Sequence, residues 1–358
     1  MALPKALANS STEEILEAQS HVWNHILSFI NSMSLKCALE LGIPDIIHKH
    51  GKPMSVSELV EAIPTNKAKS NELNLLMRLL THSKFFDMSV MNDDEEAYSL
   101  TRASYLLLRD EPLTLVHLTL LSLDPIMMDP GHYMSEWFKN EDLTSFVTQQ
   151  GMPFWQYAKG DERLNELFNK SMSGDGVSLN VLVRDCRQVF EGLSSMVDVG
   201  GGNGVTARSI SDTFPGLKCT VLDLPQAVAG LEGSENVSFV SGDMFHFIPH
   251  ADAILFKNVF HNWEDEECVK VLRNCKEALG RGEKSGGKVI IIDMVVNDKR
   301  KDDQGTETQL CLGLMMMYLF RGKERTEKEW AKLFFDSGFR SYKIHPVLGL
   351  RSVIEVFP

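Results

Sequence analysis

A glycine-rich turn follows a short apolar stretch in the second half of the chain. Residues 196–204 are Met-Val-Asp-Val-Gly-Gly-Gly-Asn-Gly and lead into a helix-like segment, Val205–Phe214. Glycine lets a chain reverse from strand to helix and lets a ligand approach backbone atoms that a Cβ would shield. A dinucleotide-binding motif has its third glycine three residues after the second, whereas Gly200, Gly202 and Gly204 are spaced by two. The spacing therefore favours S-adenosylmethionine over NAD as the ligand.

Two acidic residues follow this turn where predicted strands end. Asp223, in Val-Leu-Asp-Leu-Pro, comes twenty-one residues after Gly202 and lies at the carboxyl end of the second predicted strand. Ligands of open parallel sheets lie at such ends, so this carboxylate is placed to accept hydrogen bonds from both hydroxyls of a ribose. An ordinary turn acid would give the same pattern. The third predicted strand leads into Gly-Asp-Met-Phe, where Asp243 would face an adenine amino group and Met244 or Phe245 the adenine ring.

Strand-like and helix-like segments alternate from about Ser194 onward. This alternation is typical of a Rossmann-like α/β domain, in which a mostly parallel sheet is covered on both faces. A helix predicted over Asp265–Leu279 places Cys268 and Cys275 on one apolar stripe, so packing accounts for both thiols. The predicted strands are Met196–Val199, Cys219–Leu222, Val237–Val240, Ala253–Phe256 and Val289–Ile292, with a closing pair near Tyr342–His345 and Val353–Phe357.

The first third of the chain has a helical pattern. Ser11 and Glu14 have the spacing of a capping box ahead of a long amphipathic helix. Two further helices, Ser57–Ala62 and Asn71–Ser83, followed by a hairpin within Phe85–Leu100, predict a winged-helix arrangement. The last of these helices is too rich in leucine to enter a nucleic-acid groove, and it suits packing within or between subunits.

A chain of 358 residues has room for two domains. We place the boundary near residue 120, with an all-helical, winged-helix-like domain over 1–120 and the α/β domain over 121–358. Apolar residues such as Trp23 and Phe29 cover more than one face of the first predicted helix. Because surface of this kind normally meets a partner, the N-terminal domain is expected to mediate association.

Charge and cysteine content narrow the classes of partner. The net charge of −13 argues against binding to a phosphate backbone, so no nucleic-acid partner is expected. The six cysteines include no C-x-x-C pair and give no sign of a disulfide framework or a zinc site. The longest apolar run, Leu310–Phe320, is too short to span a bilayer, and the N-terminus lacks the apolar stretch of a signal peptide. We expect a cytoplasmic protein with no membrane partner.

A series of ten short motifs extends from residue 32 to the end of the chain. They are SMSLKCALELGIPDII, FWQY, FNKSM, VDVGGGNG, VLDLP, GDMF, LFKNVFHNW, KVIIIDM, GKERTEKEW and IEVFP. This series closely resembles plant small-molecule O-methyltransferases of the caffeic acid and isoflavone type. The glycine turn is generic to methyltransferases, but GDMF followed by K-x-x-x-H-x-W and GKER is specific to this group. The resemblance implies S-adenosylmethionine as cofactor, a small phenolic substrate and a homodimer with an N-terminal dimerisation domain.

The resemblance also implies roles for particular residues. The histidine of LFKNVFHNW corresponds to the general base, which assigns that role to His261, with Asp293 and Glu324 as flanking acids. Met172 and Met317 correspond to methionines that clamp the substrate. The implied cofactor-binding residues are Gly200, Asp223, Leu224, Asp243, Met244 and Lys257.

The chemistry of such a reaction follows from the acidity of phenols. With a pKa near 10, about one phenol in a thousand is ionised at pH 7, a deficit of roughly 4 kcal/mol that a base must supply. Histidine suits this transfer near neutral pH, and in-line alignment of oxygen, methyl and sulfur supplies much of the rest, so no metal is required. Thioethers are polarizable and suit a flat ring, and Phe154, Trp155 and Trp263 are expected to add walls to the substrate pocket.

Three alternatives remain open from the sequence. A nicotinamide-dependent oxidoreductase would share the fold, although the glycine spacing opposes it. A non-catalytic binding protein would need only the winged-helix part, whereas His261, Asp293 and Glu324 together favour an enzyme. An N-methyltransferase shares every cofactor motif, and only substrate trials separate it. The favoured interpretation is a homodimeric, S-adenosylmethionine-dependent O-methyltransferase of plant secondary metabolism, with the phenolic scaffold undefined.

Overall fold

The chain divides after Asp124 into two units, Met1–Asp124 and Pro125–Pro358. The computed structural model describes residues 7, 9–64, 66–90, 95–111, 113–173, 176–280, 286–297 and 304–358. The sequence-based boundary after residue 120 falls within a helix, Val116–Ser122, four residues before this division.

The first unit combines helices with a small antiparallel sheet. Ser11 and Glu14 form the expected capping box, in which each side chain accepts a hydrogen bond from the other residue's backbone N–H. The described helices are α1 (Thr12–Glu40), α2 (Ile43–His50), α3 (Val56–Ala62), α4 (Ser70–His82), α5 (Arg102–Tyr105) and α6 (Val116–Ser122). The strands are β1 (Met54–Ser55), β2 (Phe86–Val90) and β3 (Glu96–Leu100), in the order β1-β3-β2.

Helices α1 to α4 and the hairpin of the first unit pack around one hydrophobic core, as the predicted winged-helix arrangement requires. Ile43, Leu59, Met77, Phe86 and Tyr98 belong to one buried cluster. The amphipathic pattern of α4 explains its contribution, because Leu73, Met77 and Leu80 recur at helical spacing and are all buried. Most of the first half of α1, by contrast, is exposed and carries large apolar side chains.

The second unit contains the large sheet. Its described helices are α7 (Pro125–Met128), α8 (Met134–Trp137), α9 (Ser145–Gln150), α10 (Phe154–Ala158), α11 (Glu162–Ser173), α12 (Gly176–Asp185), α13 (Val205–Thr213), α14 (Pro225–Val228), α15 (Asp265–Gly280), α16 (Gln304–Phe320) and α17 (Glu327–Asp336). The strands are β4 (Ser195–Val199), β5 (Lys218–Asp223), β6 (Val237–Ser241), β7 (Ala253–Lys257), β8 (Lys288–Val296), β9 (Arg325–Thr326), β10 (Ser341–Leu348) and β11 (Arg351–Phe357).

The strand order confirms the predicted Rossmann-like sheet. The order is β10-β11-β8-β7-β4-β5-β6, with β9 beside β8. Strands β4 to β8 are mutually parallel, and β11 runs antiparallel to both of its neighbours, β8 and β10. Along the chain β4 pairs with β5 on one side and with β7 on the other, so the direction of winding reverses between β4 and β7. Such a switch point leaves a crevice at the carboxyl ends of the strands, where ligands of open sheets bind.

Alternation along β4 explains why the sheet is covered on both faces. Val197 and Val199 lie in a core cluster with residues of α15 and α17, whereas Met196 lies in a second cluster with residues of α12 and α13. Successive side chains of a strand point to opposite faces, so β4, which is apolar except for Ser195 and the buried Asp198, packs on both of its faces.

In the described residues no single helix has the length and apolar character to cross a membrane; α1 and α2, bent by 53°, reach that threshold only as a pair, by length and composition.

Candidate active site

The glycine turn after β4 is held in left-handed backbone conformations. Gly200, Gly202 and Gly204 have φ angles of 69°, 55° and 77°, a region that glycine adopts without steric cost. A Cβ on Gly200 or Gly204 would lie 3.0 Å from the side chain of Val259 or Phe239. A Cβ on Gly202 would meet nothing within 4 Å, so the turn is open on that side. This open backbone fits the close approach of a cofactor.

Asp223, the last residue of β5, is fixed against the turn. Its Oδ2 accepts a hydrogen bond from the Gly202 N–H at 2.8 Å, and its Oδ1 accepts one from the Leu224 N–H at 2.7 Å. Each carboxylate oxygen keeps further acceptor capacity for ligand hydroxyls. The Leu224 side chain is 42% exposed beside it.

The loop after β6 presents Asp243 and Met244. One oxygen of Asp243 accepts from the Phe245 N–H at 2.9 Å, and the other lies 3.1 Å from His246 Nδ1. Met244 packs against the main core cluster. The Phe245 ring meets Trp263 edge to face, 4.8 Å between centroids, so this loop contacts the segment that carries His261.

A buried acid that the sequence analysis did not select lies under the glycine turn. Asp198 is 1% exposed, and its Oδ2 has no hydrogen-bond partner in the described residues. Burial raises the pKa of Asp198 to about 7, while the charge of Lys257, at the end of β7, opposes that increase. The sequence signal is an acid within the otherwise apolar run Met-Val-Asp-Val that precedes the glycines.

His261 lies in a short 3-10 turn, Phe260–Asn262, that follows β7. Its Nδ1 is 2.8 Å from Glu324 Oε1 and 3.5 Å from Asp293 Oδ1. The imidazole is 14% exposed and each carboxylate side chain 1%. Because carboxylates accept hydrogen bonds, they favour a proton on Nδ1, which leaves Nε2 as the unprotonated nitrogen of the neutral ring.

The same geometry sets the pKa values of the group. Burial lowers the pKa of His261, but the charges of Asp293 and Glu324 outweigh it, and the pKa is raised above its ordinary 6.5. Burial and the neighbouring Glu324 raise the pKa of Asp293 to about 6, against the opposing charge of His261. The pair of acids therefore makes His261 a stronger base than a free imidazole.

Pairing between β8 and β9 brings these residues together from distant parts of the sequence. Asp293 is the sixth residue of β8, and Val295 and Val296 of the same strand pair in parallel with Arg325 and Thr326 of β9. Glu324 immediately precedes β9. The register of this short pairing thus places both carboxylates beside the His261 turn.

The same three residues also have the donor types of a metal site. One ligand atom from each of His261, Asp293 and Glu324 lies within 4.8 Å of the others. However, both acids approach the same imidazole nitrogen, and the 2.8 Å contact is a hydrogen-bond distance. This geometry is that of an imidazole hydrogen-bonded to one carboxylate with a second carboxylate beside it.

Four of the residues predicted to line the substrate pocket, Phe154, Trp155, Met172 and Met317, lie on α10, α11 and α16, whereas Trp263 directly follows the His261 turn. Phe154 is 2% exposed, and its ring meets the Trp155 ring edge to face from the buried side. Trp155 is 38% exposed; its ring stacks on Phe320, 5.4 Å between centroids, and meets Phe168 at 5.3 Å. Met172 lies four residues after Phe168 on α11, and Met317 three residues before Phe320 on α16. Residues at these spacings share a helix face, so Met172 lies on the face of α11 that carries Phe168, and Met317 on the face of α16 that carries Phe320.

A Rossmann-like sheet with an open glycine turn and acids at its strand ends is common to S-adenosylmethionine-dependent methyltransferases and nicotinamide-dependent oxidoreductases, and comparison with known proteins separates the two. Two family models match the chain, an O-methyltransferase dimerisation domain over residues 23–110 and an O-methyltransferase domain over residues 132–340. The second covers more than half of the 358 residues. The protein belongs to the O-methyltransferase family; it is an enzyme that uses S-adenosylmethionine, which sets aside the oxidoreductase and binding-protein alternatives.

The similarity to known proteins extends over nearly the whole chain. It is 56% identical to 8-hydroxyquercetin 8-O-methyltransferase of Mentha piperita, covering 100% of both chains. It is 52% identical to trans-resveratrol di-O-methyltransferase of Vitis vinifera, covering 96% of this chain and 97% of the relative. The crystal structure of human N-acetylserotonin methyltransferase in complex with S-adenosylmethionine has the same fold, with a TM-score of 0.78 at 21% identity, covering 98% of this chain and 99% of the human one.

Proposed function

We propose that the protein methylates a phenolic hydroxyl of a plant secondary metabolite, with His261 as general base. The observation that carries this proposal is the imidazole held through Nδ1 by two buried carboxylates, at the end of a strand next to the cofactor turn. The names of the plant relatives, which specify a flavonol and a stilbene, support a phenolic substrate.

The role of each residue follows from its position. Nε2 of His261 takes the phenolic proton, and the resulting imidazolium is stabilised by Asp293 and Glu324, which act as positioning residues. S-adenosylmethionine supplies the methyl group as an electrophile. Proton removal of this kind typically contributes about 10² to 10⁴ in rate.

The cofactor site is proposed at the ends of β4 to β7. Asp223 would accept hydrogen bonds from the ribose, and Asp243 would accept one from the adenine amino group. Gly200 and Lys257 would line the side of the turn near His261, and Leu224 and Met244 would contact the adenine ring. The open Gly202 fits this arrangement because its backbone leaves space in front of the turn.

The substrate would lie between Met172 and Met317, against Trp155. The Trp155 and Phe320 rings stack on each other, and the buried Phe154 ring meets both of them edge to face. Thioethers adapt to a flat ring without fixing one scaffold.

A panel of acceptors with labelled S-adenosylmethionine tests the proposed function. It should contain flavonols, stilbenes, phenylpropanoids and matched aromatic amines, and the methylated position should be identified for each product. We expect methyl transfer to phenols and little to the amines. Preferential methylation of the amines would instead support the N-methyltransferase alternative.

Replacing Asp223 by alanine should weaken cofactor binding. Loss of a charged hydrogen-bond partner costs about 1.5 to 3 kcal/mol, which corresponds to a roughly 10- to 100-fold higher dissociation constant for S-adenosylhomocysteine. Calorimetry measures this constant, with Asp212→Ala, an exposed carboxylate on α13, as the control. An affinity within twofold of wild type would remove Asp223 from the site.

The protein is proposed to be a homodimer joined through its dimerisation domain. Val22, Trp23, Ile26 and Phe29 on α1 are each more than half exposed, an apolar surface that a second copy would cover. Light scattering should report about twice the 40.2 kDa chain mass, and Ile26→Glu should lower the mass while Asn24→Glu, at an exposed position nearly opposite Ile26 on α1, does not. An active wild-type monomer would contradict the proposal.

We place the protein in the cytoplasm. All six cysteines are free thiols, four of them buried, which suits a reducing compartment. Fractionation of the source tissue followed by activity assay tests the assignment, and enrichment in a secreted fraction would overturn it.

A further inference from the structure

Two short segments of the second unit meet around His261. One is the base turn, residues 260–265, and the other is the GKER segment, residues 322–325. Besides the contact between Glu324 and His261, Lys323 Nζ lies 3.2 Å from Asp265 Oδ2. The two segments are therefore joined at several positions, and contacts other than those of Asp293 and Glu324 also hold the base turn.

Arg325 makes the most extensive of these contacts. It is 0% exposed, and its guanidinium donates to the Phe260 carbonyl at 3.0 Å and to the Trp263 carbonyl at 2.7 Å. These two carbonyls lie on either side of His261 in the chain. One planar group thus fixes the backbone before and after the base.

The charge of Arg325 is compensated at the same place. Asp265 Oδ1 accepts hydrogen bonds from Nε at 3.1 Å and from Nη2 at 2.9 Å. Burial raises the pKa of Asp265, but the arginine and Lys323 outweigh it, and the pKa is lowered. A buried guanidinium with a carboxylate and two carbonyls has partners in several directions, which a lysine ammonium on a flexible stem does not match.

We propose that Arg325 is a positioning residue for the reaction, which holds the base turn so that Nε2 of His261 keeps its place against the phenolic hydroxyl. This inference rests on the proposed role of His261. Positioning of the His261 imidazole is thereby divided between two adjacent residues. Glu324 orients the ring, and Arg325 fixes the backbone from which the ring extends.

Arg325→Lys tests the proposal because it keeps the charge and loses the planar set of donors. A misplacement of about 1 Å costs on the order of 10²-fold in rate, so we expect kcat to fall about 10- to 100-fold on a phenol of ordinary acidity. The fall should shrink to within about threefold on fluorinated analogues that are already ionised at the assay pH, since those need no base. The dissociation constant for S-adenosylhomocysteine should stay within about twofold of wild type.

Three further variants make the result decisive. Arg273→Lys is the matched control, because that exposed arginine donates to the Asp336 carbonyl between α15 and α17. Asp265→Asn weakens the same anchor and should show a smaller fall with the same dependence on acceptor acidity, and it decides the question if Arg325→Lys does not fold. His261→Ala reports on the base itself.

The outcomes separate the two proposals. If kcat of Arg325→Lys is unchanged, or falls equally for all acceptors, Arg325 has no positioning role, provided that His261→Ala loses activity as expected. If His261→Ala keeps more than a tenth of its activity, the proposed base is wrong and this inference fails with it.

Discussion

Replacing His261 by alanine should lower kcat by about 10² to 10⁴ while the affinity for S-adenosylhomocysteine stays near wild type. The substitution removes Nε2, the nitrogen proposed to take the phenolic proton, and leaves Asp223 and the glycine turn in place. Single-turnover rates and calorimetry measure the two quantities separately. Retention of more than a tenth of the wild-type rate at neutral pH would contradict the assignment.

The pH profile supplies the control for this prediction. Because Asp293 and Glu324 raise the pKa of His261 above 6.5, the neutral base is lost as the pH falls through that raised pKa, and wild-type kcat should decline on the acid side. His261→Ala should lack this limb, and its residual rate should instead rise with ionisation of the phenol. Asp293→Asn and Glu324→Gln should lose less than His261→Ala, since orienting a base is a smaller contribution than being the base. A larger loss in either variant would mean that the roles are distributed differently.

The strands of the large sheet could be predicted from the sequence because their patterns are local. Each predicted strand of the α/β domain lies within an observed one, and most observed strands extend further, so that Asp223 and Lys257 are the last residues of β5 and β7. Short apolar runs bounded by turn residues identify buried parallel strands without knowledge of their neighbours. The glycine turn could be predicted for the same reason, because the positions that need left-handed φ values are marked by the glycines themselves.

The arrangement around His261 could not be derived from local patterns. The pairing of β9 with β8 involves two residues on each strand and joins segments about thirty positions apart. Sequence reasoning connected Glu324 to His261 only through the resemblance to a family. It did not select Arg325 or Asp265, because a buried arginine and an exposed one are indistinguishable until the tertiary contacts are known.

Burial also changes how two sequence-based expectations are interpreted. Phe154 was expected as a pocket wall, but at 2% exposure it supports the exposed Trp155, and a direct role stays a prediction. The first helix was expected to be amphipathic, and its large apolar residues are exposed along the first half of α1. A helix whose large apolar residues stay exposed among the described residues has the kind of surface that a dimer interface would bury.

Gly322→Ala should be nearly as damaging as the loss of the base, although residue 322 has no reactive group. A Cβ at this position would overlap the carbonyl oxygen of His261 and lie 2.7 Å from its carbonyl carbon and 2.8 Å from Asn262 Cα. These are backbone atoms of the base turn, so no side chain can rotate away, and the turn must shift by about an ångström or more. A shift of that size costs on the order of 10²-fold in rate.

Kinetics and calorimetry distinguish this displacement from a general loss of structure. We expect kcat of Gly322→Ala to fall about 10²-fold or more while the dissociation constant for S-adenosylhomocysteine changes little, since the glycine turn that is proposed to hold the cofactor follows a different strand, β4. Gly216→Ala is the matched control, because a Cβ there would meet nothing within 4 Å and the residue has no left-handed φ. A fully active Gly322→Ala enzyme would mean that the close packing of the GKER segment on the base turn does not determine the position of His261, and the proposed role of Arg325 would lose its structural basis as well.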